Sequence, residues 1–490
     1  MRQTCIGAIE SSLYTRLPYL RARVWTLVLP VGLLCGQAKS ASAANDPTLK
    51  WQLAARETKL QPGPSKAVVR HAVPESLPPL PALPSAPLYS ETFWTAFADQ
   101  DISTLRQAAQ TEPEAGFAEA MTLLAAGNVE SAEAAFLAVS RQQNDFNVAV
   151  AAQVMLATTL RYQRKWTELR DLPLNSKLGP DDRNITSDLE SWGKAFAGAE
   201  REVTTFPDKS VSLPLKISSV GTPMIRVRLN GKEYDFWLDT GASITVVSSA
   251  VAKDAKITAL SPDVLNVHTF AGSAPVKAAV LQRLEFGPIV LANSPAVIID
   301  ESLMYLRSSA EGVPQRGIRV DGIIGWDTIR QFDLTMDYLK GSITLSRPEL
   351  RSMTESQQNL SWLGRPFVEV RSKTAGKLHF TLDTGSQVTF LNAAVLERTP
   401  MTTRSSDNRV FGIAKTGRQT SRVVPFMAVE VGGQSLKLHD VIVYGPVHSG
   451  LINSDGILGS DMARYGTIHI DATNGVFTIG ESGDADDATE

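Results

Sequence analysis

Cysteine is all but missing from this chain. Of 490 residues only Cys5 and Cys35 are cysteines, and both fall in a segment with the pattern of a cleaved leader. The rest has no disulfide framework and no thiolate to serve as nucleophile or metal ligand. Histidine is scarce as well. The six, His71, His268, His379, His439, His448 and His469, are scattered and make no metal-ligand spacing. A nucleophile-elbow serine pattern and a phosphate-binding glycine loop are also wanting. Metal, serine and cysteine hydrolase mechanisms are therefore disfavoured, and neither a cofactor nor a metal is expected.

Long apolar runs are lacking too. Arg16, Arg21 and Arg23 precede one short run, Val24 to Cys35, and small residues follow with Ala41 and Ala43 in A-x-A spacing. This is the pattern of a secretory signal peptide over residues 1–43. A run of twelve residues interrupted by Pro30 is too short to span a bilayer comfortably. The expectation is a periplasmic or secreted protein with no stable membrane span after cleavage. Five basic residues and one acidic residue would leave with the leader. The remainder keeps 43 basic and 50 acidic side chains, a formal charge of −7. Such a chain offers no basic field to nucleic acid, so no nucleic-acid partner is expected.

What is present is enough for a folded core: 43% of residues are apolar and 20% charged. The length calls for several units. Residues 44–90 read as a proline-rich linker, with eight prolines between Pro62 and Pro87. Residues 91–173 are rich in Ala, Leu, Gln and Glu. Their apolar residues recur at helical spacing, with a break at Gly127-Asn128. The helix-break-helix rhythm repeats once, a tetratricopeptide-like pattern that an unrelated small helical bundle would share. This helical segment is a candidate platform for a protein partner. Residues 174–208 read as a connector. From about Val211 the texture is β. The alternating run Ile225, Val227, Leu229 turns at Asn230-Gly231 into Tyr234, Phe236, Leu238, which is a strong short hairpin signal. Residues 482–490 form an acidic tail.

Within the β texture the chain repeats itself. "FWLDTGAS" spans Phe236–Ser243 and "FTLDTGS" spans Phe380–Ser386. Residues 239–254 and 383–398 align without a gap, 144 positions apart, sharing Asp, Thr, Gly, a later Thr and an Ala-Val pair. Each copy then offers a helix N-cap, Ser248 or Asn392. A second block aligns 134 positions apart, starting "DGIIG" at Asp321 and "DGILG" at Asp455. Two blocks in the same order define two lobes, 209–349 and 361–481, joined by a polar linker at 350–360. Asp327 and Asp461 follow the second motif where a helix should begin, so capping is the expected role of both. Asp337 and Asp471 precede turns and read as structural. Trp237 reads as core.

The doubled Asp-Thr-Gly and the later apolar-apolar-Gly resemble the aspartic proteases of the pepsin and retropepsin type, over slightly more than half of the chain. Lobe length and Ala242 look retropepsin-like, and the single-chain doubling looks like pepsin. The resemblance implies a mainly β, two-lobed acid-protease-like β-barrel fold, preceded here by the small helical domain. It implies Asp239 and Asp383 as the catalytic pair. Thr240, Gly241, Ala242, Thr384, Gly385 and Ser386 would support the active-site loops, with the threonines bonding across the interface. Ile323-Ile324-Gly325 and Ile457-Leu458-Gly459 would back those loops. The implied activity is endopeptidase cleavage of a peptide or protein substrate. A catalytically silent, peptide-binding bilobal protein stays open beside it. Segments His268–Pro275 and Val410–Gly417 are candidate flaps. A hydroxyl at position 386, by family habit, would donate to its own aspartate, which predicts that Asp383 is the lower-pKa member of the pair.

Overall fold

Alternation and turn chemistry build the β half as the sequence dictates. In the computed structural model, which describes residues 91–142, 145–172, 189–219, 221–269, 272–306, 318–354, 357–412, 415–444 and 451–480, strands Pro223–Leu229 and Lys232–Leu238 pair antiparallel, and Leu229 faces Lys232. The two turn residues between them, Asn230 and Gly231, have φ of 48° and 86°. That double positive φ is the geometry of a two-residue hairpin matched to strand twist. Along Lys232–Leu238, Phe236 and Leu238 join the core of the first lobe, while Trp237 points the opposite way.

The two lobes share one topology. In the first, hydrogen-bonded neighbours run Val211–Ile217, Pro223–Leu229, Lys232–Leu238, Gly322–Ile324, Thr245–Ser248, Ile289–Ile299, Gly272–Phe286 and Leu265–Thr269. In the second they run Leu360–Trp362, Pro366–Ser372, Gly376–Leu382, Gly456–Leu458, Phe390–Asn392, Gln434–Tyr444, Lys415–Val431 and Arg404–Gly412. Six strands of each lobe close into a barrel. The closing contacts are Leu229 with Leu284 in the first lobe and Arg371 with Glu430 in the second. Closure removes the free edges that an open sheet would expose.

A further sheet joins the lobes. Strand Asp333–Asp337 of the first pairs antiparallel with Thr467–Asp471 of the second, Met336 opposite Ile468. Val476–Gly480 extends this sheet on one side and Ser342–Ser346 on the other. Asp337 and Asp471 do close the turns that follow them. Asp337 accepts from the amides of Leu339 and Lys340, and Asp471 accepts from that of Asn474.

The helical unit comprises Glu91–Ala98, Ile102–Ala108, Glu112–Ala125, Val129–Ser140, Phe146–Tyr162 and Trp166–Arg170. The Gly127 break is real, with φ of 79°. Thr111 and Glu114 form a reciprocal capping box at the start of the third helix. A further short helix at 189–196 adds Trp192 and Phe196 to the same apolar cluster, and Phe196 stacks on Trp166. Strand Val203–Thr205 then adds to the edge of Ile289–Ile299 in the first lobe. No helix among the described residues is long and apolar enough to cross a membrane. The leader, the proline-rich stretch and the acidic tail lie outside the described residues.

Candidate active site

Each Asp-Thr-Gly sits where a strand leaves its barrel. Asp239 follows Lys232–Leu238 and Asp383 follows Gly376–Leu382. The apolar-apolar-Gly strands lie parallel alongside, Ile324 opposite Leu238 and Leu458 opposite Leu382. They hold the loops from behind through equivalent bonds. The Asp239 amide donates to the Ile324 carbonyl at 3.0 Å, and the Asp383 amide donates to that of Leu458 at 3.0 Å. One turn later the Trp326 amide donates to the Ala242 carbonyl and the Ser460 amide to that of Ser386. Gly325 must lack a side chain, because a Cβ there would lie 2.5 Å from the backbone carbon of Ile244. Ile323 and Ile457 are the middle residues of these strands, the former fully buried.

The threonines cross between the lobes. Thr240 Oγ1 accepts from the Thr384 amide at 2.9 Å and donates to the Leu382 carbonyl at 2.9 Å. Thr384 Oγ1 accepts from the Thr240 amide at 3.1 Å and donates to the Leu238 carbonyl at 2.8 Å. Both hydroxyls are thus used as donor and acceptor in a buried interface, where unmade bonds are costly.

This clasp brings the aspartates together. Asp239 and Asp383 are both 0% exposed. Each carboxyl lies over the glycine of the other lobe: a Cβ on Gly241 would be 2.6 Å from Asp383 Cγ, and one on Gly385 would be 2.6 Å from Asp239 Oδ1. Each glycine sits in a tight turn, closed by the Ala242 amide on the Asp239 carbonyl at 3.2 Å and by the Ser386 amide on that of Asp383 at 3.1 Å. Neither has positive φ; what they supply is room for the opposing carboxyl. Backbone amides satisfy one oxygen on each side. Asp239 Oδ1 accepts from Gly241 and Ala242, at 2.9 and 3.1 Å, and Asp383 Oδ1 accepts from Ser386 at 2.9 Å.

The asymmetry at Ala242 and Ser386 does not act as expected. The Ser386 hydroxyl turns away from Asp383 and donates to the Val388 carbonyl at 2.9 Å. Burial first, then the charge of Asp239, holds the Asp383 carboxyl well above the usual range, against the opposing pull of the Ser386 amide. The Ser386 hydroxyl thus gives no reason for Asp383 to be the low-pKa member, and the two carboxyls titrate as one unit.

Asp327 and Asp461 lie in the first turns of their helices, where a carboxylate is favoured, but their side chains are used differently from a cap. The helix Trp326–Ile329 is capped by Gly325, without a side-chain bond. The Asp327 carboxyl instead accepts from Thr245 Oγ1 at 3.2 Å, and Asp461 accepts from Thr389 Oγ1 at 2.7 Å. Thr245 and Thr389 are the later threonines of the repeat, and their oxygens also receive the Gly325 and Gly459 amides. These pairs tie the Asp-Thr-Gly loop to its backing motif. The expected helix caps Ser248 and Asn392 are in place. The candidate flaps form hairpins at Leu265–Thr269/Gly272–Phe286 and Arg404–Gly412/Lys415–Val431; their tips, 270–271 and 413–414, lie outside the described residues. No cluster of metal-binding side chains occurs among the described residues.

Closed barrels, crossed threonines and facing aspartates define the bilobal acid-protease class of fold. Residues 225–328 and 368–462 match the aspartyl protease family, one stretch in each lobe. Among solved structures that match is a retropepsin-like aspartic protease from Rickettsia conorii, at 14% identity and a TM-score of 0.21; the match covers 30% of this chain and 95% of that one. No curated protein matches the chain.

Two outcomes follow. Asp383 holds its proton more tightly when folded, so its contribution to stability is present below the ordinary carboxylate pKa and is lost as pH rises through the raised one. Asp383→Asn removes that loss. Thermal melts should show the variant stabilised over the native chain at pH 8, by about 1 kcal/mol or more, with the gap closing near pH 4; a gap independent of pH would contradict this. Ser386→Ala should leave the acidic limb of any pH-rate profile in place while costing about 1 kcal/mol in a denaturant melt.

Proposed function

We propose that this protein is an aspartic endopeptidase of the cell envelope. The observation that carries the reading is the face-to-face placement of Asp239 and Asp383, each carboxyl over the other lobe's glycine. Like charges so close cannot both ionise, so the pair shares one proton across neutral pH and titrates as a unit. The ionised carboxylate takes a proton from a water held between the two as that water attacks the peptide carbonyl carbon. The protonated partner gives its proton to the carbonyl oxygen. When the tetrahedral adduct collapses, the proton gained from water passes to the leaving amine, a hydroxyl of the adduct returns its proton to the other carboxylate, and no covalent enzyme intermediate forms.

The rest of the site supports this division of labour. Thr240 and Thr384 fix the loops so that the carboxyls need no reorganisation during reaction. Ile323-Ile324-Gly325 and Ile457-Leu458-Gly459 fix the loops from behind. A silent peptide-binding role would leave this constellation without a purpose. Export by the leader at residues 1–43 would place the enzyme in the periplasm or outside the cell, acting on peptide or protein substrates. The helical unit would be the contact for any protein partner.

Incubation of the purified protein with a denatured substrate protein at acidic and neutral pH tests the reading. Cleavage blocked by a statin-type inhibitor is expected. Asp239→Asn and Asp383→Asn should each lower kcat by about a thousandfold or more, since neither carboxyl can do both tasks. A folded chain that cleaves nothing, or a variant that keeps native activity, would overturn it.

A further inference from the structure

The helix Phe146–Tyr162 is buried on every side over its central turns. From Val148 to Leu160 each residue is buried, including Gln153, Thr158 and Thr159. A helix at the rim of a small bundle normally keeps a polar face in water, and one that is covered all round is enclosed. Part of the cover is its own unit, in which it packs against Val129–Ser140 and Glu112–Ala125. The rest is the protease lobes. Thr158, Arg161 and Tyr162 share a cleft with Thr240, Gly241 and Ser243 of the first Asp-Thr-Gly loop.

The contacts at this seam are specific. Arg161 Nη2 donates to Ser243 Oγ at 3.0 Å, four residues past Asp239. Tyr162 is held between the lobes: its ring stacks on Trp362 of the second at 3.8 Å, and the Arg330 guanidinium of the first lies 3.8 Å over its other side. Arg330 also donates to the Tyr162 carbonyl at 2.5 Å. Arg164 reaches Asp327, with a hydrogen bond of 2.8 Å to its carbonyl, and pairs with Glu202. A second anchor lies on the other lobe. The Asn453 amide donates to the Ala98 carbonyl at 2.7 Å, and its side chain donates to Asp99. Asn453 stands four residues before Ile457 of the second backing motif.

The apolar seam has the same extent. Trp237, Ala242, Ile244, Val246 and Ile323, on the face of the first lobe turned away from its core, form one buried cluster with the helical unit. These residues surround Asp239 in sequence and strand register. The helix is about 25 Å long at 1.5 Å per residue. That is the span of about seven residues of extended peptide, the form in which a chain would have to lie across both aspartates.

We infer that the helical unit is a built-in cover, seated on both lobes over the ground beside Asp239, and that peptide reaches the aspartates when the Tyr162 and Asn453 anchors release. This regulation rests on the protease reading of the site, but the covering is a physical claim that can be read without turnover. The probe is Ser243→Cys in the full chain with Cys5 and Cys35 replaced by serine, labelled with a small thiol reagent. Two variants loosen the anchors from opposite ends: Tyr162→Ala removes the ring held between lobes, and Asn453→Asp sets a carboxylate against Asp99.

In both, labelling should rise about tenfold or more, with thermal melts confirming folded lobes, and kcat/KM on a peptide should rise with it. Labelling that is as fast in the parent as in the variants overturns the cover. Labelling that accelerates while a measurable parent kcat/KM stays flat or falls also overturns it, because the helix then builds the site rather than covering it. Accelerated labelling in chains that never cleave leaves the cover standing and strikes the protease reading instead.

Discussion

Two carboxyl groups pressed together away from water are the constraint around which this molecule is arranged. Left alone, Asp239 and Asp383 would separate or force their surroundings open, since ionised groups in contact repel and buried charge is costly. The fold answers with a clasp that cannot loosen cheaply. Each threonine hydroxyl is both donor and acceptor across the interface, so drawing the lobes apart would strand four buried backbone groups. The sheet shared by Asp333–Asp337 and Thr467–Asp471 adds a second, independent tie between the lobes. The absence of a Cβ at Gly241 and Gly385 then allows the carboxyls to meet.

The architecture of the lobes was legible because it is written twice. Alternating apolar residues, the Asn230-Gly231 turn and two ungapped blocks in the same order specify a hairpin and two similar β lobes, while the barrels and the pseudo-two-fold came from the family resemblance. The identities of the aspartates, the threonines and the backing motifs followed from that symmetry. Side-chain direction did not. Nothing in "DTGS" says whether the Ser386 hydroxyl faces its aspartate or the Val388 carbonyl, and the choice depends on the loop's three-dimensional path. The roles of Asp327 and Asp461 were missed for a related reason. Their partners, Thr245 and Thr389, are about 80 and 70 residues away in sequence. The signal was present in the repeat itself, since those threonines and those aspartates are both duplicated, and residues duplicated together are candidates for contact.

The seat of the helical unit was the least legible part. Its amphipathic pattern identifies helices but not which neighbour covers them, and the full burial of Val148 to Leu160 is a property of the assembled chain. One clue was available: "VAVAAQVMLATTL" carries no charge over thirteen residues, too few polar positions for a helix with a wet face. The residues that matter at the seam, Arg161, Tyr162, Arg330 and Trp362, belong to three different segments and share no motif. Lock and site are thereby coupled. The Arg330 that grips Tyr162 follows the backing motif of the first lobe, and Arg164 of the helical unit touches the same Asp327 that ties that motif to its loop.

The account stands or falls on Asp239 and Asp383 behaving as one proton-sharing unit. Carboxyl-carbon NMR of the aspartate-labelled chain, titrated from acid to alkali and assigned with Asp239→Asn and Asp383→Asn, observes this directly. The account predicts that both carboxyl signals move together in two well-separated steps, the upper one beyond the usual carboxylate range and abolished in either variant. Two carboxyls that titrate independently, each in the ordinary range and each unmoved by loss of the other, would contradict it.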